Sequence, residues 1–183
     1  AYIGINNHEI DLIAPFIEAL KCENVKNSYR LILYGNTISN EKWNQLGLSE
    51  IAEYRGWLDY SKDVSTLKDI DVFLQLLDDN NVSKAGWPNK LGDYLAFGKP
   101  VILSPYGDII DFVKNEKGFF IVEYNKYSIL KILQEIKDIP YSDLKTMGYA
   151  NRQLAEKISW KNRAKNIEYI CNKIRFNNET VKN

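Results

Sequence analysis

Short apolar runs alternate with amphipathic segments along this chain of 183 residues. In the amphipathic segments, apolar residues recur every three or four positions, which is the period of an α-helix. Six apolar runs bounded by turn residues predict buried strands, at 2–5, 31–34, 51–54, 72–76, 101–103 and 119–122. Strands that alternate with helices predict a parallel sheet with helices on both faces, connected by right-handed crossovers. The predicted fold is therefore a Rossmann-like, doubly wound α/β domain.

Residues that favour the start or the end of a helix predict the bounds of the remaining elements. Asp11 is positioned to cap the first helix, and Pro15 is tolerated only near the start of that helix. Residues 78–85 are polar and predict a loop that is long for a strand-to-helix connection. The last helix is expected to dock partly on the domain through one apolar side, with Trp160 packed at its start. The domain is predicted over residues 1–175, followed by a frayed polar tail at 176–183.

Composition narrows the class of protein. Lys plus Arg and Asp plus Glu each count 24, so the net charge of zero excludes a global field that would attract nucleic acid. Two cysteines, Cys22 and Cys171, are too few for a disulfide framework and are predicted to be buried, reduced thiols. His8 is the only histidine, which argues against a histidine-based metal site. Without a secretory signal or an apolar run of membrane-spanning length, the chain is predicted to be soluble and cytoplasmic.

The stretch 86–107 is predicted to contain a short helix with clear start and stop residues, followed by a buried strand. Pro88 stands in the first turn of the helix, Gly98 closes it, and Asn89, Lys90 and Asp93 lie on its polar side. The first turn leaves backbone N–H groups that favour an anion such as phosphate, to which Lys90 would add its charge. Alternatively, Lys90 and Asp93 form an ordinary surface ion pair three residues apart, which helix physics alone favours because such pairs are common.

The order Pro-Asn-Lys-Leu at 88–91, Asp-Tyr-Leu-Ala at 93–96 and Gly-Lys-Pro-Val-Ile at 98–102 resembles a known signature. It is similar to the donor-binding signature of family-four retaining glycosyltransferases of the GT-B fold, in their C-terminal nucleotide-sugar domain. The Tyr54-Arg55-Gly56 turn, the strand at 70–74 and the Ser159-Trp160 helix start extend the resemblance. It implies a transferase that moves a sugar from a nucleoside diphosphate sugar, such as a UDP-sugar, to an acceptor hydroxyl. It also implies retention of anomeric configuration and no obligatory metal or other cofactor.

The resemblance assigns roles to single residues. The start of the helix around Asn89, together with Lys90, would lie against the donor diphosphate, and Asp93 would hold the ribose hydroxyls. The abrupt start at Ala1 and the length of one domain lead us to expect that the N-terminal acceptor domain is absent from this chain. That missing half would be its partner and could bring it to a membrane surface. We therefore expect the chain alone to bind nucleotide without turnover.

In a doubly wound sheet, ligands bind outside the carboxyl ends of the strands. Trp57 follows the turn where the family binds the base, so it either packs on the base or covers the sheet edge. The predicted donor-binding residues are Gly4, Gly35, Arg55, Gly56, Trp57, Asp78, Pro88, Asn89, Lys90, Asp93 and Gly107. No residue is assigned as catalytic, and no metal ligand is predicted.

The chain also departs from the family pattern. Ala85 stands where the family has the first of two Glu residues, and Asn6, Asn7 and His8 occupy the loop where an Arg and a Lys often bind phosphate. Asp78 or Asp79 would either replace the missing sugar contact or simply be solvated or cap a helix. These departures keep two rivals open, namely a non-catalytic nucleotide-sugar or partner-binding domain and half of a nucleotide-sugar epimerase. The epimerase would need catalytic acids and a histidine that the sequence does not provide.

Overall fold

All six predicted strands are present and all their pairings are parallel. The computed structural model describes the backbone of residues 1–180 and the side chains of residues 1–174. Most residues of these strands are apolar and buried, and the strands at 31–35, 73–75 and 101–103 are buried along their whole length. The strands are β1 (Tyr2–Ile5), β2 (Leu31–Gly35), β3 (Ala52–Tyr54), β4 (Phe73–Gln75), β5 (Val101–Leu103) and β6 (Phe119–Ile121).

Helices connect the strands and complete the described chain. Two 3-10 helices, Leu48–Glu50 and Val64–Leu67, precede β3 and β4. The α-helices are α1 (Glu9–Leu12), α2 (Ala14–Leu20), α3 (Asn40–Gln45), α4 (Asn81–Ala85), α5 (Asn89–Ala96), α6 (Asp108–Val113), α7 (Lys126–Lys137), α8 (Tyr141–Lys157) and α9 (Trp160–Thr180).

The strands form two sets of three that adjoin at β1 and β4. One set has the order β1-β2-β3 and the other β4-β5-β6. The N–H of Leu74 donates to the carbonyl of Ala1 at 2.9 Å, and the nitrogen of Ala1 donates to the carbonyl of Val72 at 2.6 Å. These bonds join the sets in the order 3-2-1-4-5-6, which reverses between β1 and β4. The predicted doubly wound architecture is confirmed, and its topological switch point lies between β1 and β4.

Apolar cores lie on both faces of the sheet. On one face, Ile17 and Leu20 of α2 and Leu133 of α7 pack beneath β1 and β2. On the other face, Leu91, Tyr94 and Leu95 of α5 are fully buried. Tyr94 and Leu95 lie three and four positions after Leu91, so the three side chains form the single apolar side that fixes α5 on the sheet.

Helix α8 fixes the far end of α5. A Cβ atom at Gly148 of α8 would collide with the carbonyl oxygen of Gly98, so only glycine allows this close approach. Arg152, one turn later, donates to the carbonyl of Ala96 at 2.5 Å and satisfies one of the last carbonyls of α5. Helix α5 is therefore fixed at its buried side and at its C-terminus, which leaves its N-terminus to point outward.

Two local predictions are wrong. The first helical segment begins after Asn6, whose Oδ1 accepts from the backbone N–H groups of His8 and Glu9 at 2.8 and 2.9 Å. Asp11 lies within α1 and pairs with Lys42 at 2.6 Å instead of capping, while Pro15 is at the start of α2 as expected. Residues 81–85 of the predicted loop are helix α4, because the Asn80 side chain caps it by accepting from Ser83 N–H at 2.8 Å.

Expectations for the last helix and the cysteines are also corrected. Trp160 is 87% exposed, so it does not pack, and Ile167 and Ile174 of α9 are exposed as well. Cys171 is exposed and Cys22 is half-buried, so neither is a buried thiol. The apolar period of α9 predicted one apolar side correctly but gave no partner for it. The backbone of α9 is helical to Thr180, while residues 181–183 of the predicted tail lie outside the described residues.

Candidate functional site

The strands β1 and β4 part just above the switch point. The N–H of Leu74 reaches β1, but the N–H of Ile3 donates to the Tyr94 hydroxyl of α5 at 3.0 Å. The Tyr94 ring also stacks on Phe73 of β4, with ring centres 4.4 Å apart. Burial raises the pKa of Tyr94, which keeps this hydroxyl protonated at neutral pH. Tyr94 therefore holds α5 over the crevice between the two halves of the sheet.

Lys90 lies across the carboxyl end of β1. A Cβ atom at Gly4 would be 2.9 Å from Cε and 3.3 Å from Nζ of Lys90, and the φ angle of Gly4 is +84°. A side chain at this position would be strained and would also displace the lysine. Lys90 stands one position inside α5, whose N-cap is Pro88 and has no side-chain cap. The structure thus places a lysine, a bare helix start and a glycine backbone together at the switch point.

Lys90 is paired with a carboxylate that lies far away in the sequence. Its Nζ is 2.8 Å from Oε2 of Glu9 and 3.0 Å from the Tyr2 hydroxyl, which in turn donates to Glu9. The ammonium group also lies 4.5 Å from the centre of the Tyr2 ring. Burial raises the pKa of Glu9, but hydrogen bonds from Lys90 and Tyr2 lower it more, so the net pKa is below its usual value. The surface pair of Lys90 with Asp93 is therefore not the arrangement that forms.

Asp93 lies one turn along α5 on the exposed side of the helix. Its Oδ2 accepts from the Tyr60 hydroxyl at 3.0 Å, and the Tyr60 ring is parallel to Phe97. Burial and the charge of Asp93 raise the pKa of Tyr60, so this hydroxyl remains a donor at neutral pH. The carboxylate of Asp93 is thus oriented by one hydroxyl and keeps capacity to accept further hydrogen bonds.

The glycines predicted for the site follow the strands at this end of the sheet. Gly35, at the end of β2, lies against the backbone of Gly4 and Ile5, and its N–H donates to the carbonyl of Gly56 at 2.9 Å. Gly107, after β5, lies against the carbonyl of Lys84 at the end of α4. Gly4, Gly35 and Gly56 therefore lie at the same end of the sheet, but Gly35 is buried, and of the three only Gly4 lies against Lys90.

Three other predicted site residues have different partners. Arg55 is bonded to Glu53 at 2.7 Å, to the Tyr34 hydroxyl at 3.2 Å and to Asp69 at 3.0 Å, so its guanidinium is already engaged. Asp78 accepts from Asn80 at 2.7 Å and Ser83 at 2.8 Å, which fits the interpretation as support for a helix start. Asp79 pairs with Lys84 at 2.5 Å.

The aromatic residues beside the site differ in exposure. Trp57 is 71% exposed, so it does not cover the sheet edge and remains available to a ligand. Trp87, directly before Pro88, packs edge-on against Phe112 of α6 with ring centres 4.8 Å apart. That contact fixes the segment between α4 and α5 and so fixes the start of α5 and the position of Asn89.

A cavity of about 600 Å³ lies at the opposite end of the sheet. Its walls include Leu31 and Val72 at the starts of β2 and β4, Leu20 of α2, Leu133 of α7, and the pair Arg55 and Asp69. In open α/β sheets, ligands bind at the carboxyl ends of the strands, and this cavity lies at the amino ends. We therefore place the candidate site at Lys90 and not in this cavity.

Sequence reasoning missed Tyr2, Glu9 and Tyr60. Tyr2 and Glu9 contact Lys90 from 88 and 81 residues away, and Tyr60 contacts Asp93 from 33 residues away. One signal was present, because a carboxylate in the loop after β1 must lie at the same sheet edge as the start of α5.

The described part of the chain contains neither a membrane-spanning helix nor a metal-binding cluster. Within residues 1–180, no helix is both long and apolar enough to cross a bilayer. Among the same residues, no three His, Cys, Asp or Glu side chains are grouped so that they could hold a metal ion.

The sequence matches the model of the family "Glycosyl transferases group 1" over residues 1–138. No curated protein matches it significantly. The fold is similar to sucrose-phosphate synthase from Thermosynechococcus elongatus, at a TM-score of 0.70 and 14% identity, covering 94% of this chain and 45% of that one. A glycosyltransferase from Rickettsia africae ESF-5 is similar at a TM-score of 0.65 and 15% identity, with 92% and 46% covered.

HepE from Anabaena, solved in complex with UDP and glucose, is also similar, at a TM-score of 0.59 and 13% identity. The match covers 85% of this chain and 43% of HepE, so this chain spans less than half the length of each of these three proteins. The family match covers most of the chain and includes every element that builds the crevice. This chain belongs to the group 1 glycosyltransferase family.

Proposed function

We propose that this chain binds the nucleoside diphosphate part of a nucleotide-sugar donor and is the donor half of a glycosyltransferase. The observation that carries the proposal is the position of Lys90, which lies over Gly4 at the switch point and beside the start of α5. Backbone N–H groups, the positive end of a helix and a lysine are the features that bind phosphate in this type of sheet.

The proposed chemistry follows from the charge of the leaving group. When the bond between sugar and diphosphate breaks, negative charge develops on the diphosphate, and Lys90 with the start of α5 would stabilise it. We propose that no metal ion is required, as the resemblance implies, and that anomeric configuration is retained. The sugar then passes to a hydroxyl group of the acceptor.

Asp93 is proposed to hold the ribose. A carboxylate accepts hydrogen bonds from two adjacent hydroxyl groups, and Asp93 lies one helical turn beyond Lys90, exposed and with a single hydroxyl partner. The base would then lie toward the loop after β3, where Gly56 and the exposed Trp57 are found.

Structures of HepE contain UDP or UDP-glucose, which favours UDP as the first nucleotide to test.

The acceptor is proposed to bind a second domain. The solved chains that this one resembles are more than twice the length that it covers. Transfer needs the acceptor hydroxyl held against the donor in a closed, water-poor cleft, and one domain supplies neither the positioning nor the closure. We therefore expect the 183-residue chain to bind nucleotide without transferring sugar, and the cytoplasmic location stays a prediction.

Calorimetry with UDP, GDP and ADP tests the binding. We expect one of them to bind the chain and to raise its Tm, and we expect Lys90→Ala and Asp93→Asn each to weaken that binding by about 1 to 3 kcal/mol. Lys114→Ala is the matched control, because Lys114 pairs with Asp111 on the surface of α6. Unchanged binding in both site variants, or no binding of any of the three nucleotides, would contradict the proposal.

A second candidate function rests on Ala85. This residue ends α4, at the position where the resemblance predicts a Glu that contacts the donor sugar. A domain that binds nucleotide sugar without catalysis fits this loss. The two functions separate in an assay of the longer protein, in which the enzyme transfers or hydrolyses a UDP-sugar and the binding domain does neither.

A further inference from the structure

The charge of Lys90 is largely balanced before any ligand arrives. Its Nζ lies 2.8 Å from Oε2 of Glu9, and the side chains of the two residues are only 28% and 31% exposed. Water therefore screens this pair less than it screens an ordinary surface pair. The Tyr2 hydroxyl donates to the same oxygen of Glu9 and accepts from Lys90, which fixes the geometry of all three groups.

The surroundings add little positive charge. The loop after β1 holds Asn6, Asn7 and His8, and the lysine on α4, Lys84, is paired with Asp79 at 2.5 Å. Asp93 adds a second carboxylate on α5 itself. A diphosphate that enters this site thus meets one lysine that already shares its charge with Glu9.

We infer that Glu9 is a counter-charge that limits the affinity of the site for phosphate, an inference that rests on the proposed function. In the free site, Glu9 holds Lys90 over Gly4. When the diphosphate binds, Lys90 turns hydrogen bonds toward the phosphate oxygens, and the Glu9 carboxylate is left close to a ligand of its own sign.

Two effects of Glu9 oppose each other. By holding Lys90 in place, the carboxylate spares the ligand the cost of ordering one flexible side chain. By its charge, it repels a ligand that carries two or three negative charges a few ångströms away. The repulsion involves several charges in a partly desolvated crevice, so it exceeds the ordering of one lysine. Glu9 therefore weakens binding and favours release of the nucleoside diphosphate product.

Glu9→Gln tests this inference in the 183-residue chain. Glutamine keeps the shape and an acceptor oxygen for Lys90 and Tyr2 but removes the charge. The probe is whichever of UDP, GDP and ADP binds the wild-type chain most tightly, and we expect Glu9→Gln to bind it about 5- to 10-fold more tightly. The matching nucleoside, which has no phosphate, should bind both proteins equally.

Two further variants separate charge from shape and position. Glu9→Asp keeps the charge and should bind the diphosphate within about twofold of wild type. Glu18→Gln removes a charge elsewhere, from a carboxylate paired with Lys21 on α2, and should leave binding unchanged. Circular dichroism and thermal melting check that every variant folds.

The outcomes distinguish this inference from the proposed function. If the wild-type chain binds a diphosphate but Glu9→Gln binds it equally or more weakly, the inference is overturned and the proposed function stands. A gain that is equally large for the nucleoside also overturns it, since phosphate charge would not be the cause. If the wild-type chain binds none of the three nucleotides, the proposed function fails and this inference fails with it.

Discussion

The two ends of the sheet differ in how their polar groups are satisfied. At the amino ends there is a cavity of about 600 Å³, but Arg55 on its wall is already bonded to Glu53, Tyr34 and Asp69. At the carboxyl ends the crevice is held open by Tyr94, and Lys90 lies directly on the backbone of Gly4. The arginine of the cavity is bonded to three partners, whereas the crevice combines a glycine backbone, a helix start and a lysine whose carboxylate partner is Glu9.

Strand order, and not cavity volume, is the basis on which we place the candidate site. Ligand binding to a parallel sheet depends on the strand order, because helices leave a switch point in opposite directions and open a crevice there. Glycine at the strand ends then allows a ligand to reach the backbone. Variants at one end of the sheet, compared with variants at the other, test this difference.

The largest expected effect is that of Gly4→Ala. The new Cβ would lie 2.9 Å from Cε of Lys90, at a residue whose φ is +84°. We expect a loss of about 1 to 3 kcal/mol of stability from backbone strain, together with at least about tenfold weaker diphosphate binding because Lys90 is displaced. Thermal melting and calorimetry measure the two effects.

Gly92→Ala is the matched control for that change. Gly92 lies within the same helix, α5, and a Cβ there would meet nothing within 4 Å. Alanine in a helix interior should stabilise the protein by about 0.5 to 1 kcal/mol and leave binding unaltered. Equal behaviour of the two variants would mean that Gly4 is not in close contact with Lys90.

Arg55→Ala tests the wall of the cavity. The guanidinium bridges Glu53 and Asp69 and is partly exposed, so its loss should cost about 0.5 to 1.5 kcal/mol of stability. Nucleotide binding should stay within about twofold of wild type, because these partners occupy Arg55 away from Lys90. If binding fell tenfold while the Tm stayed constant, Arg55 would belong to the donor-binding site, as the sequence predicted.

Much of the fold could be predicted because its signals are local. Apolar runs, Pro100 and the glycine that ends β2 fix the strand ends within one or two residues, and alternation with helices fixes the parallel order. Helix α4 was missed because its five residues include only Val82 and Ala85 as apolar ones and so show no helical apolar period, and only the cap at Asn80 signals it. The exposure of α9 was missed because a periodic pattern does not identify what covers it.

The site could be predicted only in part. Lys90 and Asp93 lie within one helix whose start and end are marked by Pro88 and Gly98. Local sequence and resemblance were therefore sufficient to select them. Their partners Glu9 and Tyr60 come from other connections, and only the folded sheet brings them within hydrogen-bond distance. Arg55 was selected from its position after a strand, but the position of a residue does not determine which way its side chain turns.

The smallest expected effect is a change in stability with pH that belongs to Glu9. Burial raises its pKa, but the hydrogen bonds from Lys90 and Tyr2 lower it more, and the net pKa lies below the ordinary value of 4.5. A carboxyl whose pKa is lower in the folded state stabilises the protein above its unfolded pKa, and this stabilisation is lost as the pH falls through the folded pKa. The Tm of wild type relative to Glu9→Gln should therefore fall by about 1 to 2 °C between pH 6 and pH 3.

Repeating the comparison of Glu9 with Glu9→Gln in a protein that also carries Lys90→Met shows whether Lys90 causes this pH dependence. Without the ammonium group, the burial of Glu9 opposes its charge with only the Tyr2 hydroxyl to compensate. In this background, the difference in Tm between the protein with Glu9 and the protein with Gln at this position should depend less on pH, or its pH dependence should reverse in sign. Thermal melts of the four proteins across this pH range form a complete double-mutant cycle. If the pH dependence is the same with and without Lys90, the pair does not control the charge of Glu9.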